Sequence, residues 1–156
     1  MGVPMGVILS FIKVTGEQLD QLAKAEAETE ELWDLETADG DPSGYLDKSW
    51  DGLRYLLEAA EVEVDLFFDG NLLHDEYYGW PADLVRATAE RLKATPFDLL
   101  AAHYDGTAMD DADVYPRIWS RDGDEGLDYL RYHYGVLVAF FDNAARSGAA
   151  AVMHFG

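Results

Sequence analysis

The sequence predicts an α/β fold in which a small mixed sheet, containing the N- and C-terminal strands, is sandwiched by helices in a three-layer α/β/α arrangement. Three observations lead there. In the N-terminal run 3–14, Val7, Leu9 and Phe11 point one way while Ile8, Ser10 and Ile12 point the other, so both faces are largely apolar, as in a strand covered on two sides. Near the C-terminus, Leu127, Leu130, Tyr134, Leu137, Phe141 and Ala144 recur at spacings of three and four, the signature of a long amphipathic helix. Ser147-Gly148 then supplies a stop, and 149–155 reads as a final strand. The order strand, helices, strand lets the two terminal strands share one sheet.

The elements between follow from local chemistry. Thr15 and Gln18 have the form of a capping box, and Leu19 and Leu22 open a helix that the pattern carries as far as Trp33. Residues 36–44, with Asp39, Gly40, Asp41, Pro42 and Gly44, form an acidic turn-rich loop. A second helix is expected from about Lys48, with Asp47 as its cap and Trp50, Leu53, Leu57 and Ala60 on one side. The β-branched and aromatic run 62–68 reads as a short strand or a buried extended segment, closed by Asp69-Gly70-Asn71. Tyr77-Tyr78-Gly79-Trp80-Pro81 reads as an aromatic loop before a third helix over 82–94. Thr95 as N-cap, Pro96 at the first helical position and Asp98 in the first turn predict a short helix to about Tyr104. Gly135 inside the long helix costs about 1 kcal/mol relative to Ala, and so suggests a second backbone packed close against it.

At 156 residues, one domain over 1–156 is expected, long enough to bury a core without staples. The absence of cysteine excludes disulfides, thiolate metal sites and cysteine nucleophiles, and suits a reducing compartment. Residues 1–10 are apolar but carry no preceding basic stretch and no small-residue cleavage site, so a cytoplasmic location is expected, and no run approaches the length of a membrane span.

Four segments resemble a known family: Met5-Gly6-Val7-Ile8-Leu9 with Val14-Thr15 and Glu17-Gln18-Leu19, then Leu46-Asp47-Lys48-Ser49-Trp50-Asp51-Gly52-Leu53, Ala112-Asp113-Val114-Tyr115-Pro116-Arg117-Ile118-Trp119, and Leu127-Asp128-Tyr129-Leu130. In this order and spacing they are similar to the bacterial YfbM-like family. The resemblance spans nearly the whole chain and implies a compact three-layer α/β domain in a family with no established biochemical role. The segment 65–80 departs from it, with Phe67-Phe68 and Tyr77-Tyr78 in place of a glycine-rich turn.

Charge narrows the function classes. Asp and Glu total 31 against 11 Lys and Arg, a formal net charge of −20. Phosphate recognition needs clustered cations, so nucleic acid and anionic membrane surfaces are disfavoured as partners. The excess is concentrated: 12 acids face 2 bases between Glu17 and Asp51, and 8 face 2 between Asp105 and Asp128. Such a surface suits docking of a basic protein partner, because complementary potentials speed association. A solubility bias and a cation-binding surface are the competing explanations.

Catalytic signatures are largely missing. None of the five serines sits in a nucleophile elbow, no glycine-rich phosphate loop occurs, and His74, His103, His133 and His154 lack the paired spacing of a zinc helix. His74-Asp75-Glu76 are three neighbours on one loop, a poor geometry for a single ion. No cofactor and no metal are expected. Two constellations stand out as ligand-binding candidates. The first is Asp47, Trp50 and Asp51 with Lys48; the second is Tyr115 and Trp119 with Asp122, a rigid aromatic turn. Each has a plain alternative, a capped helix with a buried tryptophan in the first case and aromatic packing of a loop onto the core in the second. The expectation is a non-catalytic binding protein with an acidic docking surface; the alternative is an enzyme or small-ligand binder with a cleft between these two segments. A homodimer is compatible with either.

Overall fold

The computed structural model describes residues 7–24, 35–74 and 76–156. Strand β1 (Leu9–Val14) pairs antiparallel with β5 (Ala150–Phe155) in continuous register, Leu9 opposite Phe155 and Val14 opposite Ala150. The terminal strands therefore lie side by side at the centre of a five-stranded sheet. Short β2 (Gly44–Tyr45) flanks β1, and the hairpin of β3 (Asn71–His74) and β4 (Tyr77–Trp80) flanks β5, giving the order β2-β1-β5-β4-β3. The α/β class holds, but every pairing is antiparallel where a mixed sheet was expected. The β3–β4 hairpin, unexpected from the sequence, joins the sheet beside β5 with both of its pairings antiparallel.

That hairpin occupies the segment read as an aromatic loop, while 62–68 forms no strand. Val64 and Leu66 do enter the core, but the Asp65 carboxylate then accepts from the Phe67 and Phe68 amides at 2.9 and 3.0 Å and turns the chain. Gly79 had suggested a loop for a different physical reason. A Cβ there would come within 2.9 Å of Leu19 Cδ1, so glycine admits helix α1 (Gly16–Lys24) onto the sheet.

The capping box at α1 forms as expected, Gln18 N donating to Thr15 Oγ1 at 3.0 Å and Thr15 N to Gln18 Oε1 at 2.8 Å. The expected continuation of this helix to Trp33 lies outside the described residues. Leu19 and Leu22 cover one face of the sheet, against Val14, Tyr77, Ala150 and Val152.

Six helices build the other layer: α2 (Trp50–Ala59), α3 (Ala82–Lys93), α4 (Phe97–Ala101), α5 (Gly106–Asp111), α6 (Trp119–Asp122) and α7 (Asp124–Arg146). Their apolar sides meet Leu9, Phe11, Ala151 and Met153 in the main core. Phe11 is the hub, 5.3 Å from Trp80, 5.1 Å from Phe141 and 5.6 Å from Phe140 between ring centroids. Tyr134 of α7 donates to the Thr95 carbonyl at 2.7 Å, tying the long helix to the end of α3.

Helix ends explain several sequence signals. At the end of α7, Ala149 N donates to Ala144 O at 2.9 Å and Gly148 N to Ala145 O at 3.0 Å, with Gly148 at φ 63°, a Schellman motif. Thr95 is not the cap of α4, which begins after Pro96; its hydroxyl instead donates to Arg91 O at 2.8 Å and closes α3. Gly135 is also a correction: a Cβ there would meet nothing within 4 Å, and the residue is exposed.

Candidate functional site

The two constellations meet, and the space between them is filled. Ser49 rather than Asp47 precedes α2, its hydroxyl donating to Leu46 O at 2.6 Å. This orients Trp50 inward, 2 % exposed, with its ring stacked on Tyr115 at 5.2 Å and edge-on to Phe67 and Phe155. Trp50 Nε1 donates to the Val7 carbonyl at 2.9 Å, and the Val7 amide donates to the Tyr115 hydroxyl at 3.1 Å. The stacked pair thereby fixes the chain just before β1.

Asp51 is nearly buried and works as a connector. One carboxylate oxygen accepts from the Tyr115 amide at 2.8 Å, and the other accepts from Arg54 Nε at 2.5 Å. Arg54 in turn reaches Glu58 at 3.0 Å. The Tyr115-Pro116 bond is cis and Arg117 adopts φ 61°. Trp119 is fully buried and donates from Nε1 to Val114 O at 2.9 Å.

Two glycines, Gly52 and Gly126, make room for that indole, and a third, Gly106, admits the Trp119 backbone. A Cβ at Gly52 would lie 2.9 Å from Trp119 Cη2, one at Gly106 2.6 Å from Trp119 O, and one at Gly126 3.3 Å from Trp119 Cε3. Gly52 stands inside a helix, where glycine is disfavoured, because no larger residue leaves room for the ring. Around the slot Asp110 accepts from Trp119 N, Ser120 N and Ser120 Oγ at 3.2, 3.1 and 2.5 Å. Desolvation pushes the Asp110 carboxyl up, but these donors and Arg117 outweigh it and hold it below the usual carboxylate range. Tyr104 caps the arrangement, donating to Gly123 O at 2.9 Å.

Asp47 and Asp122 lie apart from this knot. Asp47 does not cap α2; it adopts φ 51°, and its carboxylate accepts from the Tyr129 hydroxyl at 2.7 Å and the Tyr45 hydroxyl at 3.3 Å. Burial, reinforced by Asp47, pushes the Tyr129 phenol well above its usual range. Asp122 pairs with Arg121 at 2.8 Å.

Two features went unread in the sequence. On the α1 side of the sheet, a cavity of about 280 Å³ is bordered by Ser10, Tyr77 and His154. Ser10 and His154 are cross-strand partners, and His154 Nε2 stands 3.3 Å from Glu76 Oε2, so a hydroxyl and an imidazole–carboxylate pair share one rim. Their separation of 144 positions hid them; only the pairing of the terminal strands brings them together. The second is a groove of about 430 Å³ between α2 and the 62–69 turn, lined by Glu58, Glu63, Asp65 and Asp69 with Arg54; Arg91 donates to the Glu63 carbonyl at 3.2 Å, and Phe68 stands 84 % exposed. The adjacent Phe67-Phe68 pair, inside an acidic stretch, was its only signal. Among the described residues, no group of three or more His, Asp or Glu is placed to hold a metal ion, and no helix is long and apolar enough to cross a membrane.

Among the described residues, an antiparallel sheet with its terminal strands at the centre, covered by one helix on one face and by six on the other, and locked by a Trp–Tyr–Trp knot, defines the class: a three-layer α/β domain. The chain belongs to the family described as a domain of unknown function (DUF1877), whose model matches residues 5–154. Its fold is also that of the crystal structure of YfbM from Escherichia coli, a protein of unknown function, with a TM-score of 0.72 and 18% identity over 96% of this chain and 99% of that one. Among curated proteins, none matches the chain.

Proposed function

We propose that this protein is a non-catalytic binding protein that docks a basic protein segment through its acidic surface, with the Phe68 groove as the docking site. The observation that carries this reading is the combination of a large apolar side chain, 84 % exposed, with four carboxylates that outnumber the cations beside them. An exposed aromatic rimmed by like charge is costly to leave in water, and it matches an amphipathic partner that supplies an apolar residue and several cations. The net charge of −20 adds a long-range attraction for that partner.

The alternative cleft between the Asp47–Asp51 and Tyr115–Asp122 segments has less in its favour. Trp50 stacked on Tyr115 occupies the space a ligand would need, and both oxygens of Asp51 are engaged.

Fluorescence anisotropy of a labelled peptide of alternating arginine and leucine tests the proposal. Binding at 50 mM salt that weakens by about tenfold or more at 300 mM is expected, since the screening length for exposed charges shortens from roughly 14 Å to roughly 6 Å across that range. No binding at 50 mM, or binding indifferent to salt, would overturn it.

A further inference from the structure

Asp47 anchors a second, separate surface. It stands at the corner between β2 and α2, and two tyrosine hydroxyls reach its carboxylate, one from each of two elements, with Tyr132 beside them on the helix face. Tyr45 comes from β2; Tyr129, Tyr132 and His133 come from one face of α7, at positions i, i+3 and i+4. The His133 ring lies 4.7 Å from Tyr129 and 5.0 Å from Tyr132, so the α7 side of the cluster is a continuous set of rings. Tyr45 and Tyr132 remain 47 % and 68 % exposed.

The carboxylate of Asp47 is only partly satisfied. Each oxygen accepts one phenol hydroxyl, which leaves a second lone-pair direction on each, and Asp47 makes no ion pair among the described residues. Lys48, its neighbour in the chain, gives its amide to the Tyr129 hydroxyl at 3.1 Å rather than its ammonium to Asp47. Asp47 holds a left-handed backbone conformation, which an aspartate tolerates where most residues do not. His133 is 7 % exposed and its Nδ1 meets no partner among the described residues.

We infer that Asp47, Tyr45, Tyr129 and Tyr132 form a recognition site for a guanidinium group. A planar, weakly hydrated cation fits a carboxylate with acceptor capacity left on both oxygens and stacks on phenol faces, whereas a hard metal ion needs several oxygen ligands converging on it. The site stands on geometry separate from the Phe68 groove, and its failure would leave that reading untouched. The guanidinium belongs either to an arginine side chain of a partner or to a free small molecule.

The test is an amide-resolved NMR titration of the full chain with ethylguanidinium chloride, matched against sodium chloride. Saturable shifts confined to 45–48 and 129–133 are expected. Asp47→Asn removes the charge while asparagine keeps the left-handed backbone, and it should weaken binding at least tenfold; Tyr132→Ala, at the exposed rim, should weaken it severalfold. Shifts that spread over the acidic surface without saturating, or an Asp47→Asn protein that binds as well as the parent, would overturn the assignment. A blocked Gly-Arg-Gly peptide that binds more tightly than ethylguanidinium assigns the site to a partner's arginine; one that binds more weakly assigns it to a free guanidine.

Discussion

The knot of Trp50, Tyr115 and Trp119 and the groove beside Phe68 share one helix, α2, yet they are built on opposite terms. In the knot the polar groups hold the core and the chain together. Asp51 holds the Tyr115 amide and Arg54, both indoles donate to backbone carbonyls, and Asp110 takes three donors at the start of α6. In the groove the carboxylates outnumber the cations, and a phenylalanine is left in water. The comparison teaches that the segments most distinctive in sequence specify the fold, while the surface available to a partner is written in ordinary acidic residues beside them.

The largest effect should come from the knot. Trp119→Ala is expected to cost about 3–5 kcal/mol, since it removes a fully buried indole from a slot that glycines have shaped for it. Urea unfolding measures this; a loss below 1 kcal/mol would mean that the slot collapses freely and the knot is not the keystone. Gly52→Ala should destabilise by about 1–3 kcal/mol through overpacking, despite alanine's better helix propensity, because its Cβ would meet Leu130 Cδ2 at 2.7 Å as well as Trp119.

A pH effect follows at His133. Desolvation lowers its pKa, with Asp47 pulling the other way, so the folded protein binds a proton less readily than the unfolded chain. Stability is then fully present above the ordinary histidine value of 6.5 and is lost as pH falls below it toward the depressed folded pKa. Thermal melts from pH 8 to 5 should show this decline, and His133→Gln should flatten it; an identical decline in that variant would place the titration elsewhere. The smallest effect is the mirror of Gly52. Gly135→Ala, in an open stretch of α7, should stabilise by about 0.5–1 kcal/mol.

The contrast between these two glycines shows what sequence could and could not reveal. Both stand in helical patterns, but Gly52 is required by a tryptophan 67 positions away and Gly135 by nothing within reach. Features carried by local chemistry were legible, the Thr15–Gln18 box and the long helix with its Gly148 stop; that the terminal strands share one sheet followed from the element order, but their direct pairing did not. The β3–β4 hairpin was not legible, since Gly79 serves a neighbouring helix rather than a turn. At the candidate site, residue choice pointed to Trp50 with Asp51 and to Tyr115 with Trp119 as two constellations, and the structure brings them together. Whether they enclose space or fill it depends on the approach of two rings to 5.2 Å, which no spacing rule encodes. Asp47 was read as a cap because caps are local; its actual partner, Tyr129, is 82 positions distant.

The division of labour between knot and groove is tested most directly by one affinity comparison at 50 mM salt, using the labelled arginine–leucine peptide and two variants. Phe68→Ser with Glu63→Gln alters only groove side chains, and Trp119→Phe loosens the knot while keeping an aromatic ring in the slot. The double variant should melt with the parent and lose about tenfold or more in affinity, whereas Trp119→Phe should melt earlier and bind, while folded, as the parent does. Parental affinity in the double variant, together with lost affinity in folded Trp119→Phe, would contradict the account and move recognition to the knot.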